Sequence, residues 1–439
     1  LIYILELKLS KKKLFKIHSW IGTKLSILFF IVCFSGTIAT LSHELDWLFI
    51  SEIRAKPQKE FASRNTILAN LEKQYPEGQV SYWMRTEEPY LCDIIYMKDN
   101  GRQTYVFANP YTGKIQGNAN LTFQRFFRDL HYFLFMPFYQ FGYFIVLSFA
   151  FLLLISFVTA LFFYKKWWRK LFVLEVKKGP LVFFRSLHRL IGLWSIPFSI
   201  LFSITGIWYF IERANIADVR IKVNPKLPKL ENHTVTDSMD LAYDIDYDKV
   251  VNVAQKAIPH FRVEDMNIPT DYDSPVYLRG KSDVPLVRQR ANRVYVNPYN
   301  YEVIGVQNAE TISKTMWVND IADPLHFGYW GGLVTKIIWF FMGLGISSLV
   351  LSGIWITLKR RAIQRKKQHK PILGKWKFIN WGIYIFMMVS MYVQLVGRYH
   401  TSITGIVVIS CGWILVLLLT YYVFVYHLNK VVNTGQNKI

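Results

Sequence analysis

Ile17-His18-Ser19-Trp20-Ile21-Gly22 and Leu187-His188-Arg189-Leu190-Ile191-Gly192 each set a histidine at the head of a long apolar run, 170 residues apart. The same offset lays Ser35-Gly36 over Thr205-Gly206. Further on, Leu130-His131 and Leu325-His326 each precede another apolar run, at an offset that loop insertions raise to 195. The chain therefore reads as two copies of one unit: His, helix, α+β segment, Leu-His, helix. A parallel repeat implies a pseudo-twofold axis along the membrane normal, which makes each His of one half the mate of a His in the other.

The apolar runs number six, at about 20–41, 141–164, 190–211, 334–358, 378–396 and 402–426. Each has roughly the 20 residues that a helix needs to cross a hydrocarbon core of about 30 Å. Of the 439 residues 52% are apolar and only 19% charged, which excludes a disordered chain. Three cysteines, Cys33, Cys92 and Cys411, are too widely spaced for a disulfide scaffold, a Cys-based zinc site or covalently attached haem. The first run is longer than a signal-peptide core and has no A-x-A cleavage site, so it is expected to stay as a span.

The net charge of +22 has a simple location. Segments 1–19, 165–189, 359–377 and 427–439 hold 24 Lys and Arg against only Glu6 and Glu175, and the rest of the chain sums to zero. By the positive-inside rule these four segments and both termini are cytoplasmic. Topology thus accounts for the basic excess, and no nucleic-acid partner is needed to explain it.

The expected fold is a polytopic α-helical membrane protein of about six spans with an internal duplication and two small extracytoplasmic α+β domains. Residues 1–41 hold the cytoplasmic N-terminus and first span, and 42–140 the first outer domain. Residues 141–211 hold spans two and three around a basic loop, and 212–333 the second outer domain. The fourth span (334–358), a basic loop (359–377), the last two spans (378–426) and a cytoplasmic tail (427–439) follow. In the first outer region the spacing predicts a helix over 67–75 ending before Pro76, then strands at 90–97 and 103–108 around an Asn100-Gly101 turn. The second repeats the order, with a helix at 247–258 and strands at 276–279 and 293–296. Both then reach a matching turn, Asn109-Pro110-Tyr111-Thr112-Gly113 and Asn297-Pro298-Tyr299-Asn300-Tyr301, before a short strand ending at Gly117 or Gly305.

Four mated histidines are the strongest chemical signal. An interfacial His is often just a tolerated amphipathic residue, but recurrence at repeat-equivalent positions favours ligation. Paired imidazoles, His18 with His188 and His131 with His326, suit the fifth and sixth ligand positions of a b-type haem, one near each face of the membrane. Gly22, Gly36, Gly192 and Gly206 suit close helix packing or a flat ring between helices. No carboxylate or Cys accompanies the histidines at the spacing of another metal site. His43 is a fifth candidate, as an outer-haem ligand or substrate contact. It lies about 37 Å of helix from His18 and so cannot share a haem with it, and its repeat mate is Arg213. His233, His260, His369, His400 and His427 have no mates and read as ordinary polar positions.

Together, Leu187 to Gly192 with its first copy, the Ser/Thr-Gly pair, His43-Glu44-Leu45-Asp46-Trp47, the Asn-Pro-Tyr-Thr-Gly turn, Pro324-Leu325-His326-Phe327-Gly328 with Gly331-Gly332, and Ser352-Gly353-Ile354-Trp355 resemble the PepSY-associated transmembrane proteins. That group includes bacterial iron-regulated inner-membrane proteins and ferric-siderophore reductases, and the resemblance covers about residues 11 to 361. It implies periplasmic PepSY domains and two non-covalent b-type haems that carry electrons across the inner membrane to Fe(III) in a ferric-siderophore substrate. By position His18, His188, His131 and His326 inherit the haem-ligand role, and the last two helices lie outside it. A reductase of this kind needs no acid, base or nucleophile. Aromatic residues near the outer pair (Tyr132, Phe133, Phe135, Phe138, Phe327, Tyr329 and Trp330) are either a haem or siderophore wall or, more often, an interfacial belt. The chain has no Walker loop or G-x-G-x-x-G after a strand, so the electron donor is expected to be a separate cytoplasmic reductase or membrane quinol. Two other classes stay open: a transporter of the iron-uptake system, and a non-enzymatic PepSY sensor or protease regulator. Against a transporter, the midplane carries almost no charge, with Lys24 and Lys336 near helix ends where they can snorkel.

Overall fold

The apolar run behind His18 is bent. In the computed structural model, which describes residues 10–230, 242–363 and 373–427, it forms α1 (Lys11–Lys24) and α2 (Ser26–Ala39), which meet at 74°. Leu25 between them leaves the helical region (φ −111, ψ 18), and Asn380 donates a 2.6 Å hydrogen bond to the Lys24 carbonyl that the break sets free. After α3 (Ser42–Phe49) and α4 (Arg64–Gln74) come β1 (Gln79–Met84), β2 (Asp93–Asp99), β3 (Arg102–Ala108) and β4 (Ile115–Ala119). Helix α5 (Phe123–Phe133) then carries His131 up to the long α6 (Tyr139–Phe163).

The second half follows the same order. Helices α7 (Pro180–Trp194) and α8 (Ile196–Arg213) meet at 59°, where Pro197 lacks the N–H that would continue the ladder. A short α9 (Val219–Val223), α10 (Tyr247–Ala257), β5 (Arg262–Asn267), β6 (Val276–Lys281), β7 (Asn292–Val296) and β8 (Val303–Gln307) lead to α11 (Lys314–Phe327), which carries His326, and to α12 (Gly332–Ile363). Helices α13 (Trp376–Gly397) and α14 (Ile403–Tyr421) close the described chain. Four helices are long and apolar enough to cross a membrane alone, and the two bent pairs bring the number to six if each is one span. This is a membrane protein.

The bends have a packing consequence. Helix α1 packs on α6 and α2 on α12, whereas α7 packs on α12 and α8 on α6. Each bent run thus touches one straight helix with its first segment and the other with its second, which brings histidines from opposite halves of the chain together at both ends of the bundle.

Regions 42–140 and 212–333 share one eight-stranded antiparallel sheet of order β4-β3-β2-β1-β5-β6-β7-β8. The halves join where β1 pairs β5 (Tyr82↔Asn267, Trp83↔Met266, Met84↔Asp265). Helices α4 and α10 cover one face over a common core that includes Ile67, Leu71, Trp83, Val106, Val250, Met266, Leu278 and Val294. Their N-termini cap one another: Asp248 accepts from the Arg64 N–H at 2.8 Å, and Asn65 accepts from the Tyr247 N–H at 2.8 Å. The expected helices, the strands β2, β3, β6 and β7, and the Asn100-Gly101 turn with both residues at positive φ are present. Strands β4 and β8 run two residues past Gly117 and Gly305. The central strands β1 and β5 are additions to the sequence reading. Both carry a register shift against their outer neighbour, between Val80 and Tyr82 and between Val263 and Asp265, and a shift of that kind breaks the period-2 pattern by which a strand is recognised.

Candidate functional site

Two histidine pairs assemble. At the end of the bundle near the basic loops, His18 on α1 and His188 on α7 have ring centroids 6.4 Å apart with planes crossed at 89°. At the sheet end, His131 on α5 and His326 on α11 have centroids 6.4 Å apart and planes inclined at 34°. The second pair lies deeper than a position just outside the spans, because its rings reach Val32 on α2 and Thr205 on α8, inside the apolar runs.

Hydrogen bonding fixes the same tautomer in all four rings. His18 Nδ1 lies 2.9 Å from the Ser156 carbonyl, and His131 Nδ1 lies 2.9 Å from the Val32 carbonyl. A carbonyl only accepts, so these nitrogens carry the proton. His188 Nδ1 meets Ser352 Oγ at 2.9 Å, and His326 Nδ1 meets Thr205 Oγ1 at 2.7 Å. Both hydroxyls already donate their proton along their own helix, Ser352 to the Ser348 carbonyl and Thr205 to the Leu201 carbonyl, so again the histidine donates. Every ring is thereby oriented from behind, with the lone pair on Nε2.

This donor set fits a haem iron. Each pair would offer two imidazole nitrogens from facing helices, with ring centroids 6.4 Å apart, and such nitrogens would hold the iron of a b-type haem. Among the described residues no group of three or more His, Cys, Asp or Glu is placed to hold a metal ion.

Beside the sheet-end pair lies a cavity of about 480 Å³, within the range of small-molecule and cofactor sites. His131 and His326 line it, with Phe29, Phe149 and Phe202 in its apolar part and Tyr132 and Phe327 from the aromatic set singled out in the sequence. Phe138 of that set is 73% exposed. Gly36 belongs to this wall: a Cβ there would sit 2.6 Å from the His131 ring. Gly206 packs against Ala150, also on the wall. Gly22 and Gly192 are not close-packing positions, since a Cβ at Gly22 meets nothing within 4 Å and one at Gly192 reaches only Leu349, at 3.9 Å.

His43 joins neither pair. It neighbours Glu44, Glu88 and Lys336, and burial lowers its pKa despite the nearby carboxylates. Lys336 does not snorkel to the surface. It is 5% exposed and donates to Glu44 at 2.7 Å and to Glu88, tying α12 to α3 and to the segment between β1 and β2. Asp46, from the same motif, accepts from the N–H groups of Phe123 (2.6 Å) and Gln124 (3.2 Å) and so caps α5, the helix that bears His131. Burial pushes its carboxyl up to about 7.

Helix α13 has a role that the sequence reading left blank. Ser390 and Gln394 both donate to the buried carbonyl of Phe135, where Leu134 and Phe135 turn through positive φ between α5 and α6. Tyr399, just beyond α13, donates to Asp129 of α5, which also pairs with Arg125 at 3.1 Å. The Ser156, Ser352 and Thr205 partners are additions to the sequence reading. Their signal lies in the repeat: Ser156 and Ser352 stand 196 residues apart, close to the offset of the second histidine pair, and Thr205 is the mate of Ser35 in the Ser/Thr-Gly pair. His233 and His369 lie outside the described residues.

Set against known families, the chain matches the family model for the PepSY-associated TM region over residues 15–360. No curated protein matches.

Proposed function

The chain belongs to the family of the PepSY-associated TM region, and from that premise we propose that it is a two-haem oxidoreductase of the bacterial inner membrane that reduces siderophore-bound ferric iron on the sheet side. The observation that carries this reading is the pair of histidine pairs, each 6.4 Å between centroids and each with Nδ1 anchored so that Nε2 is left to bind iron. Bound there, two b-type haems would supply one-electron transfer between the two faces of the membrane.

The chain's own part is positional. Ser156 and Ser352 orient the rings at the basic end, and Val32 and Thr205 do so at the sheet end. We infer that the halves are copies of one unit, since the paired strands, bent runs and anchors recur in the same order, and that each contributes a PepSY-like domain to the shared sheet. By the positive-inside rule, the basic segments favour a periplasmic sheet. The donor is then a cytoplasmic reductase or membrane quinol. Iron leaves its ligands on reduction because hard oxygen donors hold the divalent ion less well.

Broken spans are also a feature of carriers, so transport of an iron complex is the second reading. The break at Leu25 speaks against it, because the freed carbonyl is occupied by Asn380 rather than turned towards a substrate. The test is single-turnover stopped flow: dithionite-reduced protein is mixed with a panel of ferric chelates while the haem spectrum is followed. Rapid reoxidation with one Fe(II) formed per electron is expected. A colourless protein from haem-replete cells, or a reduced haem that no ferric chelate reoxidises, overturns the reading.

A further inference from the structure

The sheet-end cavity is lopsided in charge. Its body is apolar, but its sheet-side end is lined by Arg213, Arg220, Arg288 and Arg290 with Glu212 and Asp323. Two of these arginines are already neutralised. Arg288 donates to Asp320 at 2.8 Å and to Asp323, while Arg290 donates to Asp320 at 2.8 Å and stands 3.8 Å from Glu212. The other two have no carboxylate partner among the described residues. Arg213 lies over the Tyr143 ring, 3.9 Å from its centroid, and Arg220 makes no ion pair among the described residues. Arg213 ends α8 and Arg220 lies in the short α9 that follows, and Arg213 holds the place that His43 holds in the first half.

An apolar pocket with uncompensated cations at one end selects an amphiphile: a flat or bulky apolar body with acid groups at that end. We propose that Arg213 and Arg220 bind the carboxylates of the cavity's ligand. Two sources carry that chemistry: the propionates of a haem held by His131 and His326, or the carboxylates of a ferric chelate docked at the mouth. The first source rests on the two-haem reading above; the second needs only the cavity.

The test uses full-length protein purified from haem-replete cells, comparing wild type with Arg213→Gln, Arg220→Gln, the double variant and Arg213→Lys/Arg220→Lys. Haem release to excess apomyoglobin and the KM for ferric citrate and for the cationic chelate ferrioxamine B are measured. If propionates are the ligand, the double Gln variant releases one of its two haems roughly tenfold or more faster, as loss of charge-assisted hydrogen bonds implies, and the Lys variant recovers most of the difference. If a chelate is the ligand, haem release is unchanged and the KM for ferric citrate rises roughly tenfold while that for ferrioxamine B does not. Unchanged haem release together with unchanged KM values overturns the proposal. A colourless wild type defeats the two-haem reading, and the arginines are then judged by calorimetric binding of ferric citrate to that protein. Binding that the double Gln variant loses supports them; no binding, or binding that the variant keeps, overturns them.

Discussion

The two histidine pairs share a centroid distance and a hydrogen-bonding scheme, yet they are built differently. At the basic end both rings sit on the bent membrane runs themselves and cross at 89°, anchored by two serines of the straight helices. At the sheet end both rings sit on separate helices, α5 and α11, that dock onto the runs, and their planes lie within 34° of each other. Of the two docked helices, α5 depends on outside support. Asp46 caps α5, Tyr399 and Arg125 hold its Asp129, and Ser390 with Gln394 secures the turn that follows it. The basic-end pair is thus part of the scaffold, whereas the sheet-end pair is mounted on the scaffold beside an open cavity. On the proposed two-haem reading, the exchange of electrons with a visiting ligand belongs at the mounted end.

The largest effects should separate the pairs completely. His131→Ala or His326→Ala is expected to leave one haem per chain, and His18→Ala or His188→Ala to leave the other, as counted by pyridine haemochrome. Gly36→Val should mimic the sheet-end loss, because its Cβ would fall 2.6 Å from the His131 ring. If any single His variant loses both haems and is still folded, the ends are not independent.

Removing an anchor should be milder. Thr205→Val takes away the acceptor behind His326 and Ser352→Ala the one behind His188, and loss of such an outer partner typically weakens metal affinity about 10–100-fold. Each variant should weaken only its own pair, read as haem transfer to apomyoglobin in two phases. Support from α13 comes next. Ser390→Ala with Gln394→Ala leaves the Phe135 carbonyl buried without a partner, at a cost of about 1–3 kcal/mol. Thermal release of haem should shift for the sheet-end pair and not for the other.

The smallest effect is a pH dependence. The folded Asp46 carboxyl holds its proton up to about 7, against about 4 for an exposed aspartate. The folded state therefore binds the extra proton in that window, so this group's contribution to stability falls as pH rises from about 4 to about 7. Melting temperatures of wild type should show that slope, and Asp46→Asn should lack it; equal slopes would remove the buried carboxyl from the support of α5.

What was legible in the sequence follows from period and repetition. His18, His188, His131 and His326 stand out because each recurs at the head of an apolar run, and the structure brings them together in the expected couples. The bends at Leu25 and Ser195 were not legible, since an apolar run gives length and not direction, and only Pro197 marks one of the two. Strands β1 and β5 were hidden by their register shifts, and their pairing into one sheet depends on contacts between residues more than 180 positions apart. Lys336 illustrates a rule that fails locally. A lysine near a helix end ordinarily reaches for water, but here Glu44 and Glu88 from distant segments fold over it. The arginines of the cavity mouth carried no motif, and their meaning comes only from which neighbours neutralise them.

The most direct measurement is electron paramagnetic resonance of the oxidised full-length protein, combined with a haem count. Crossed imidazole planes would leave the two π-type iron d orbitals nearly degenerate, whereas planes closer to parallel would split them, so on the two-haem reading the pairs, at 89° and 34°, should have different spectra. Two haems per chain and two low-spin ferric signals of equal intensity are expected, one highly anisotropic from His18 and His188 and one rhombic from His131 and His326, with His326→Ala removing only the rhombic one. A wild type with no haem, with a single haem, or with a five-coordinate high-spin signal would contradict the assignment of four histidines to two haems.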